Sequence, residues 1–133
     1  MTTQTLQRIL YVEDEPDIQA IARIALEAVG GFQLLVCSSG QEALAAASAF
    51  APNLILLDVM MPDMDGPSTL VALRALPDFK TTPIVFMTAK VQSSEVARYR
   101  QIGALDVIAK PFDPMTLSDT VRDIWSKHHG IPS

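Results

Sequence analysis

The chain of 133 residues holds one cysteine, one tryptophan and no run of basic residues. A lone Cys37 cannot close an internal disulfide. Its place in the apolar run Phe32-Gln33-Leu34-Leu35-Val36-Cys37 reads as a buried small hydrophobe. The 10 Lys+Arg stand singly against 15 Asp+Glu, for a net charge of −5. That pattern lacks the phosphate-binding footprint of a nucleic-acid binder. The longest uncharged stretch, Ala43 to Leu57, is broken by Pro52-Asn53 and is too short to cross a bilayer. The opening Met1-Thr2-Thr3-Gln4-Thr5 has neither a basic n-region nor an apolar h-region. The expected setting is the cytoplasm.

The composition, 49% hydrophobic and 19% charged, fits one compact domain. The acids are unevenly placed. Glu13, Asp14, Glu15 and Asp17 crowd one short window, and Asp58, Asp63 and Asp65 another. Setting those seven aside leaves eight acids against ten bases, so the acidity resides in two segments.

Apolar runs alternate with amphipathic stretches five times. Strands are expected at Arg8 to Val12, Phe32 to Cys37, Asn53 to Leu57, Pro83 to Met87 and Leu105 to Ala109. Between them, Ile18, Ile21, Ala22, Ala25 and Val29 follow helical spacing, with Pro16 in the first turn and Gly30-Gly31 at the stop. Ser39 with Glu42 is a capping-box pattern that opens a helix closed by Pro52. Further helices are expected over about Pro67 to Leu76, from Ser93 or Ser94 to near Gly103, and from Asp113-Pro114 onward. The last carries Leu117, Val121, Ile124 and Trp125 on one side, and Met115 and Trp125 read as packing residues.

Five such repeats predict an α/β fold: a doubly wound five-stranded parallel sheet with helices on both faces, in three layers. Residues 8–127 are expected to form the domain, 1–7 a disordered N-terminal tail and 128–133 a C-terminal tail holding the solvated His128 and His129. Ligands of such sheets bind at the carboxyl ends of the strands. There the expected strands end in Glu13-Asp14, Asp58, Thr88 and Lys110. Three adjacent carboxylates repel one another unless a cation neutralises them, and an all-oxygen set suits Mg²⁺. Thr88 and Lys110 offer a hydroxyl and a compact positive charge to phosphoryl oxygens. Glu15 and Asp17 suit the start of a helix, and Asp63 and Asp65 the shaping of a loop.

The set Val12-Glu13-Asp14-Glu15, Leu57-Asp58-Val59-Met60-Met61-Pro62-Asp63-Met64-Asp65-Gly66, Met87-Thr88-Ala89 and Ala109-Lys110-Pro111-Phe112 resembles the response-regulator receiver domain of two-component signalling, in its single-domain, chemotaxis-regulator form. The likeness covers about residues 8–126. It implies a flavodoxin-like strand order of 2-1-3-4-5 with five helices. It further implies that Asp58 accepts a phosphoryl group from the phosphohistidine of a histidine kinase or histidine phosphotransfer protein. Asp14, Asp58 and the backbone carbonyl of Met60 would ligate Mg²⁺, with Glu13 acting through water. Thr88 would bind the phosphoryl oxygens, Lys110 would hold the acyl phosphate, and the Lys110-Pro111 bond would be cis. The domain would be a signalling module, not an enzyme beyond its own phosphorylation and dephosphorylation.

The output expected is an unknown protein target reading the face of helix four, strand five and helix five, with the domain a monomer or weak dimer through that face and with no direct nucleic-acid or membrane contact. Two departures stand out. Val107 occupies a position usually held by Tyr or Phe, so signalling is expected through backbone shifts near Thr88 and Lys90. Met60 and Lys90 flank the path of the hydrolytic water, and Met60 cannot orient it, so a long-lived phosphoryl group is expected. Competing readings are a non-phosphorylated pseudo-receiver used for docking, and a haloacid-dehalogenase-type phosphatase suggested by Asp63-Met64-Asp65-Gly66. Against the second, Asp63 does not directly follow the strand.

Overall fold

The computed structural model describes residues 5–129. Five parallel strands, β1 (Arg8–Val12), β2 (Gln33–Cys37), β3 (Leu54–Asp58), β4 (Ile84–Thr88) and β5 (Asp106–Ala109), form one sheet of order β2-β1-β3-β4-β5. The helices are α1 (Pro16–Arg23), α2 (Gly40–Phe50), α3 (Gly66–Ala75), α4 (Ser93–Gln101) and α5 (Leu117–His129). The expected doubly wound architecture and strand order are those observed.

Alternation along the strands divides the interior into two cores. Leu10, Val12, Ile55, Leu57, Ile84 and Phe86 face α2, α3 and α4, meeting Ala43, Ala47, Leu70, Leu73 and Tyr99. Ile9, Tyr11, Leu54, Leu56, Val85 and Met87 face α1 and α5, meeting Ala22, Leu26, Leu117, Val121 and Trp125. Both faces of the central strands are therefore dry, which is why their sequences run apolar without alternation. Cys37 is buried, as its surroundings suggest, and burial pushes its thiol up to about 11, with the Glu42 charge adding to the effect.

Helix starts follow local chemistry. Ser39 Oγ accepts from the Glu42 amide at 3.0 Å and opens α2. Asp65 Oδ1 accepts from the Ser68 amide at 2.9 Å and opens α3 one residue earlier than expected, at Gly66. Asp65 thus shapes its loop as a helix cap, while Asp63 takes a left-handed φ of 66°, a conformation Asp tolerates.

Several expectations need correction. The helix after β1 does not stay α-helical: Ile24–Val29 is a π-helix. The wider turn moves Val29 off the expected stripe, leaving it 45% exposed while Ala22, Ala25 and Leu26 are buried; Ile21 (44% exposed), in α1 before the π-helix, stands about 100° round the helix from that buried stripe. Strand β2 starts at Gln33, because the Phe32 amide is drawn to the Leu26 carbonyl at 3.0 Å. Strand β5 starts at Asp106.

Helix α5 starts at Leu117 because Asp113 first makes a turn: its carboxylate accepts from the Met115 amide at 2.8 Å and its carbonyl from Thr116 and Leu117. That turn leaves Met115 67% exposed instead of packed. The C-terminal tail does not begin at 128: His128 and His129 lie in α5, and the His129 ring stacks on Trp125 at 3.8 Å. At the other end, Gln7 is ordered, its amide donating to Asn53 Oδ1 at 2.9 Å. The remainder of the expected tails, 1–4 and 130–133, lies outside the described residues.

Candidate functional site

Strand ends place the polar residues. Glu13 directly follows β1, Asp58 closes β3, Thr88 closes β4 and Lys110 directly follows β5. Glu13 and Asp58 share strand parity with the α1/α5 face, as does Lys110 beyond Ile108, so these three side chains meet. Lys110 Nζ donates to Glu13 Oε1 at 2.8 Å and to Asp58 Oδ1 at 3.2 Å. The Lys110-Pro111 peptide bond is cis, as the resemblance implies. Glu13, Asp14 and Asp58 each place one carboxylate oxygen within 4.8 Å of the others. Glu13 and Asp58 are buried, with Asp14 at the rim.

That crowding shows in the electrostatics. Burial, reinforced by the Glu13 charge, pushes the Asp58 carboxyl up to about 6, although Lys110 pulls the other way. Burial would lower the Lys110 ammonium, but the Glu13 hydrogen bond and the charges of Asp58 and Glu13 outweigh it and hold the group above its ordinary value. Tyr11, buried beneath the site, donates its hydroxyl to Glu13 Oε1 at 3.4 Å. Burial and the Glu13 charge raise its pKa strongly.

The Thr88 side chain makes no hydrogen bond to this group. It lies on the opposite strand parity, and its Oγ1 accepts from the Lys90 amide at 3.1 Å. The Lys110 amide, in turn, donates to the Thr88 carbonyl at 3.0 Å, tying the two strand ends together. Met60 follows β3 in the loop, its side chain 66% exposed. With Lys90 it borders an open groove of about 970 Å³ that Tyr99 also lines. Asp63 and Asp65 stand outside the carboxylate cluster.

One residue at the site carried no signal in the sequence. The Gln19 side-chain amide donates to the Glu13 carbonyl at 2.5 Å and to Ser38 Oγ at 3.1 Å. A polar residue on an amphipathic helix looks like any solvated position, and only the fold brings it over the ends of β1 and β2.

A buried acidic cluster capped by one lysine, at the carboxyl ends of a 2-1-3-4-5 sheet, defines a flavodoxin-like domain with a cation- and phosphoryl-compatible site. The profile of the response regulator receiver domain matches residues 9–122, and the chain belongs to that family. It is 39% identical over 127 residues to the DNA-binding response regulator MtrA of Mycolicibacterium smegmatis, covering 96% of this chain and 54% of that protein. To the transcriptional regulatory protein KdpE of Mycobacterium tuberculosis it is 36% identical, over 78% of this chain and 44% of that one. The chain thus spans about half the length of the curated relatives it matches.

Among solved structures, the chemotaxis response regulator CheY4 of Vibrio cholerae matches with a TM-score of 0.83 and 30% identity, over 90% of this chain and 99% of that one. The receiver domain of a signal transduction histidine kinase from Syntrophus aciditrophicus matches with a TM-score of 0.77 and 33% identity, over 96% of each. Among the described residues, no helix is long and apolar enough to cross a membrane.

Proposed function

We propose that Asp58 accepts a phosphoryl group from the phosphohistidine of a histidine kinase or histidine phosphotransfer protein, and that the change alters a protein-binding surface. The observation that carries this reading is the Lys110 ammonium shared between Glu13 and Asp58 within the three-carboxylate cluster. An Asp58 oxygen attacks phosphorus as the phosphorus–nitrogen bond breaks, and the imidazole leaves with a proton from solvent. Such a transfer asks mainly for in-line placement and neutralised oxygens.

Glu13, Asp14, Asp58 and the Met60 carbonyl would hold a Mg²⁺ ion, whose hard, all-oxygen preference their donors match. Bound there, the ion supplies neutralisation of the phosphoryl oxygens. Lys110 keeps its place on the Asp58 side chain and stabilises the acyl phosphate. Thr88 turns its hydroxyl to a phosphoryl oxygen. The Met60 thioether offers no group to orient a hydrolytic water, so the modification is long-lived.

The domain acts as a signalling module, with no turnover of other substrates, in the cytoplasm. The partner face is α4, β5 and α5, and the receiver itself makes no direct contact with nucleic acid, in keeping with its net charge of −5. The phosphatase alternative is disfavoured by Asp63 and Asp65, which serve their loop and the α3 cap. The deciding experiment is intact mass after incubation with Mg²⁺ and a small phosphodonor. The expected result is one added phosphoryl group in the native protein and none in Asp58→Asn. An unmodified native protein would return the pseudo-receiver reading.

A further inference from the structure

We infer that Gln19 is a positioning residue for the cation, fixing the Glu13–Asp14 peptide so that the Asp14 carboxylate faces those of Glu13 and Asp58. The inference rests on the Mg²⁺ reading above. The three carboxylates are held very differently. Glu13 is gripped at both oxygens, by Lys110 Nζ at 2.8 Å and Tyr11 at 3.4 Å on Oε1, and by the Glu15 amide at 3.2 Å on Oε2. Asp58 ends a fully buried strand and is held by Lys110 at 3.2 Å. Asp14 has no comparable side-chain partner among the described residues, so its direction is set by its backbone.

That backbone is anchored at two points. The Glu13 amide donates to the Cys37 carbonyl at 3.0 Å, which fixes the near end of the turn to β2. The Glu13 carbonyl, which belongs to the peptide that leads into Asp14, accepts from Gln19 Nε2 at 2.5 Å. Gln19 cannot swivel freely, because the same nitrogen also donates to Ser38 Oγ at 3.1 Å and its own amide donates to the Glu15 carbonyl at 3.0 Å. Removing the side-chain amide frees the peptide plane and, with it, the only carboxylate that lacks its own clamp.

A small, hard ion feels such a loss most. Mg²⁺ demands near-octahedral placement, whereas Ca²⁺ accepts irregular oxygen sets. Groups that orient metal ligands are worth about 10–100-fold in affinity. The test is calorimetric titration of the full chain with MgCl₂ and with CaCl₂, alongside the melting temperature without metal. For Gln19→Met, of similar length but without a donor, the Mg²⁺ Kd is expected to rise about tenfold and the Ca²⁺ Kd by less than about threefold.

Ser38→Ala removes only the second anchor. It should weaken Mg²⁺ by about threefold, a fraction of the full orienting effect. A purely structural Gln19 would lower the metal-free melting temperature and leave the Mg²⁺:Ca²⁺ ratio unchanged, and that result overturns the inference alone. Should Gln19→Met not fold, an unchanged ratio in Ser38→Ala overturns it equally. If the native protein shows no saturable Mg²⁺ binding, the cation reading falls and the inference falls with it.

Discussion

Lys110 lies closer to Glu13 than to Asp58, 2.8 Å against 3.2 Å, although Asp58 is the residue whose chemistry it would serve. The lysine is therefore first a counter-ion for a carboxylate whose side chain is 1% exposed. Lys110→Ala strands two buried acids, and removing one partner of a buried pair costs roughly 3 kcal/mol. Urea unfolding without metal should show that loss. Saturating Mg²⁺ should recover much of it, because the ion takes over the neutralisation. A deficit that Mg²⁺ leaves untouched would rule out a shared role for lysine and cation.

Asp58 gives the metal-free protein a pH dependence of a definite sign. Its folded pKa, about 6, lies above the ordinary value of 3.8, so the folded state binds the extra proton. Where the folded state binds more protons, stability falls as pH rises, here across the window between about 4 and 6. Metal-free protein should therefore unfold at higher denaturant at pH 5 than at pH 7, as far as this group is concerned. Asp58→Asn should flatten that difference and be the more stable form at pH 7. Parallel native and Asp58→Asn curves would show that the carboxyl is not strained.

The π-helix supplies a test of packing away from the site. Gly30 has an ordinary φ of −84°, so its constraint is space and not backbone strain. A Cβ there would collide with Ser118 Oγ and lie 2.8 Å from the Leu26 carbonyl. Ser118 Oγ itself donates to the Ala25 carbonyl at 2.7 Å. Gly30→Ala should cost about 2 kcal/mol by overpacking, and Ser118→Ala about 1 kcal/mol for its hydrogen bond. The double variant should cost less than the two together, since Ser118→Ala removes the oxygen that the new methyl strikes. Additive losses in urea unfolding would separate the two residues.

How much could be read beforehand follows from how local each determinant is. The ends of β1, β3 and β4 are legible because each apolar run gives way to an acid or a threonine, at Glu13, Asp58 and Thr88. The site followed from the same rule, since a parallel sheet delivers all its strand ends to one edge. The π-helix was not legible. Within it the Ala25 carbonyl accepts from the Ser118 hydroxyl, 93 residues away, and no helical periodicity encodes that contact. Gln19 carries no sequence signal for the same reason, its partners being a carbonyl and a serine on other elements. Val29 shows the consequence: period 3.6 places it inward, and the wider turn sends it out.

The Thr88–Lys90 hydrogen bond locates where a phosphoryl group should first be felt. Thr88 Oγ1 accepts from the Lys90 amide at 3.1 Å and stands on the strand parity opposite Asp58. Turning the hydroxyl to a phosphoryl oxygen takes the acceptor away from that amide. The half-buried Val107, packed against the α2/α3/α4 core, is too small to follow the threonine inward as an aromatic ring would. On the proposed phosphorylation of Asp58, the response is expected to run through the backbone of 88–90 into the start of α4. Amide NMR of the protein with a beryllium fluoride phosphoryl mimic should show its largest shift and fastest new exchange at Lys90, both absent in Thr88→Ala. A mimic-bound structure that superimposes on the free form throughout 87–110 would sink this route.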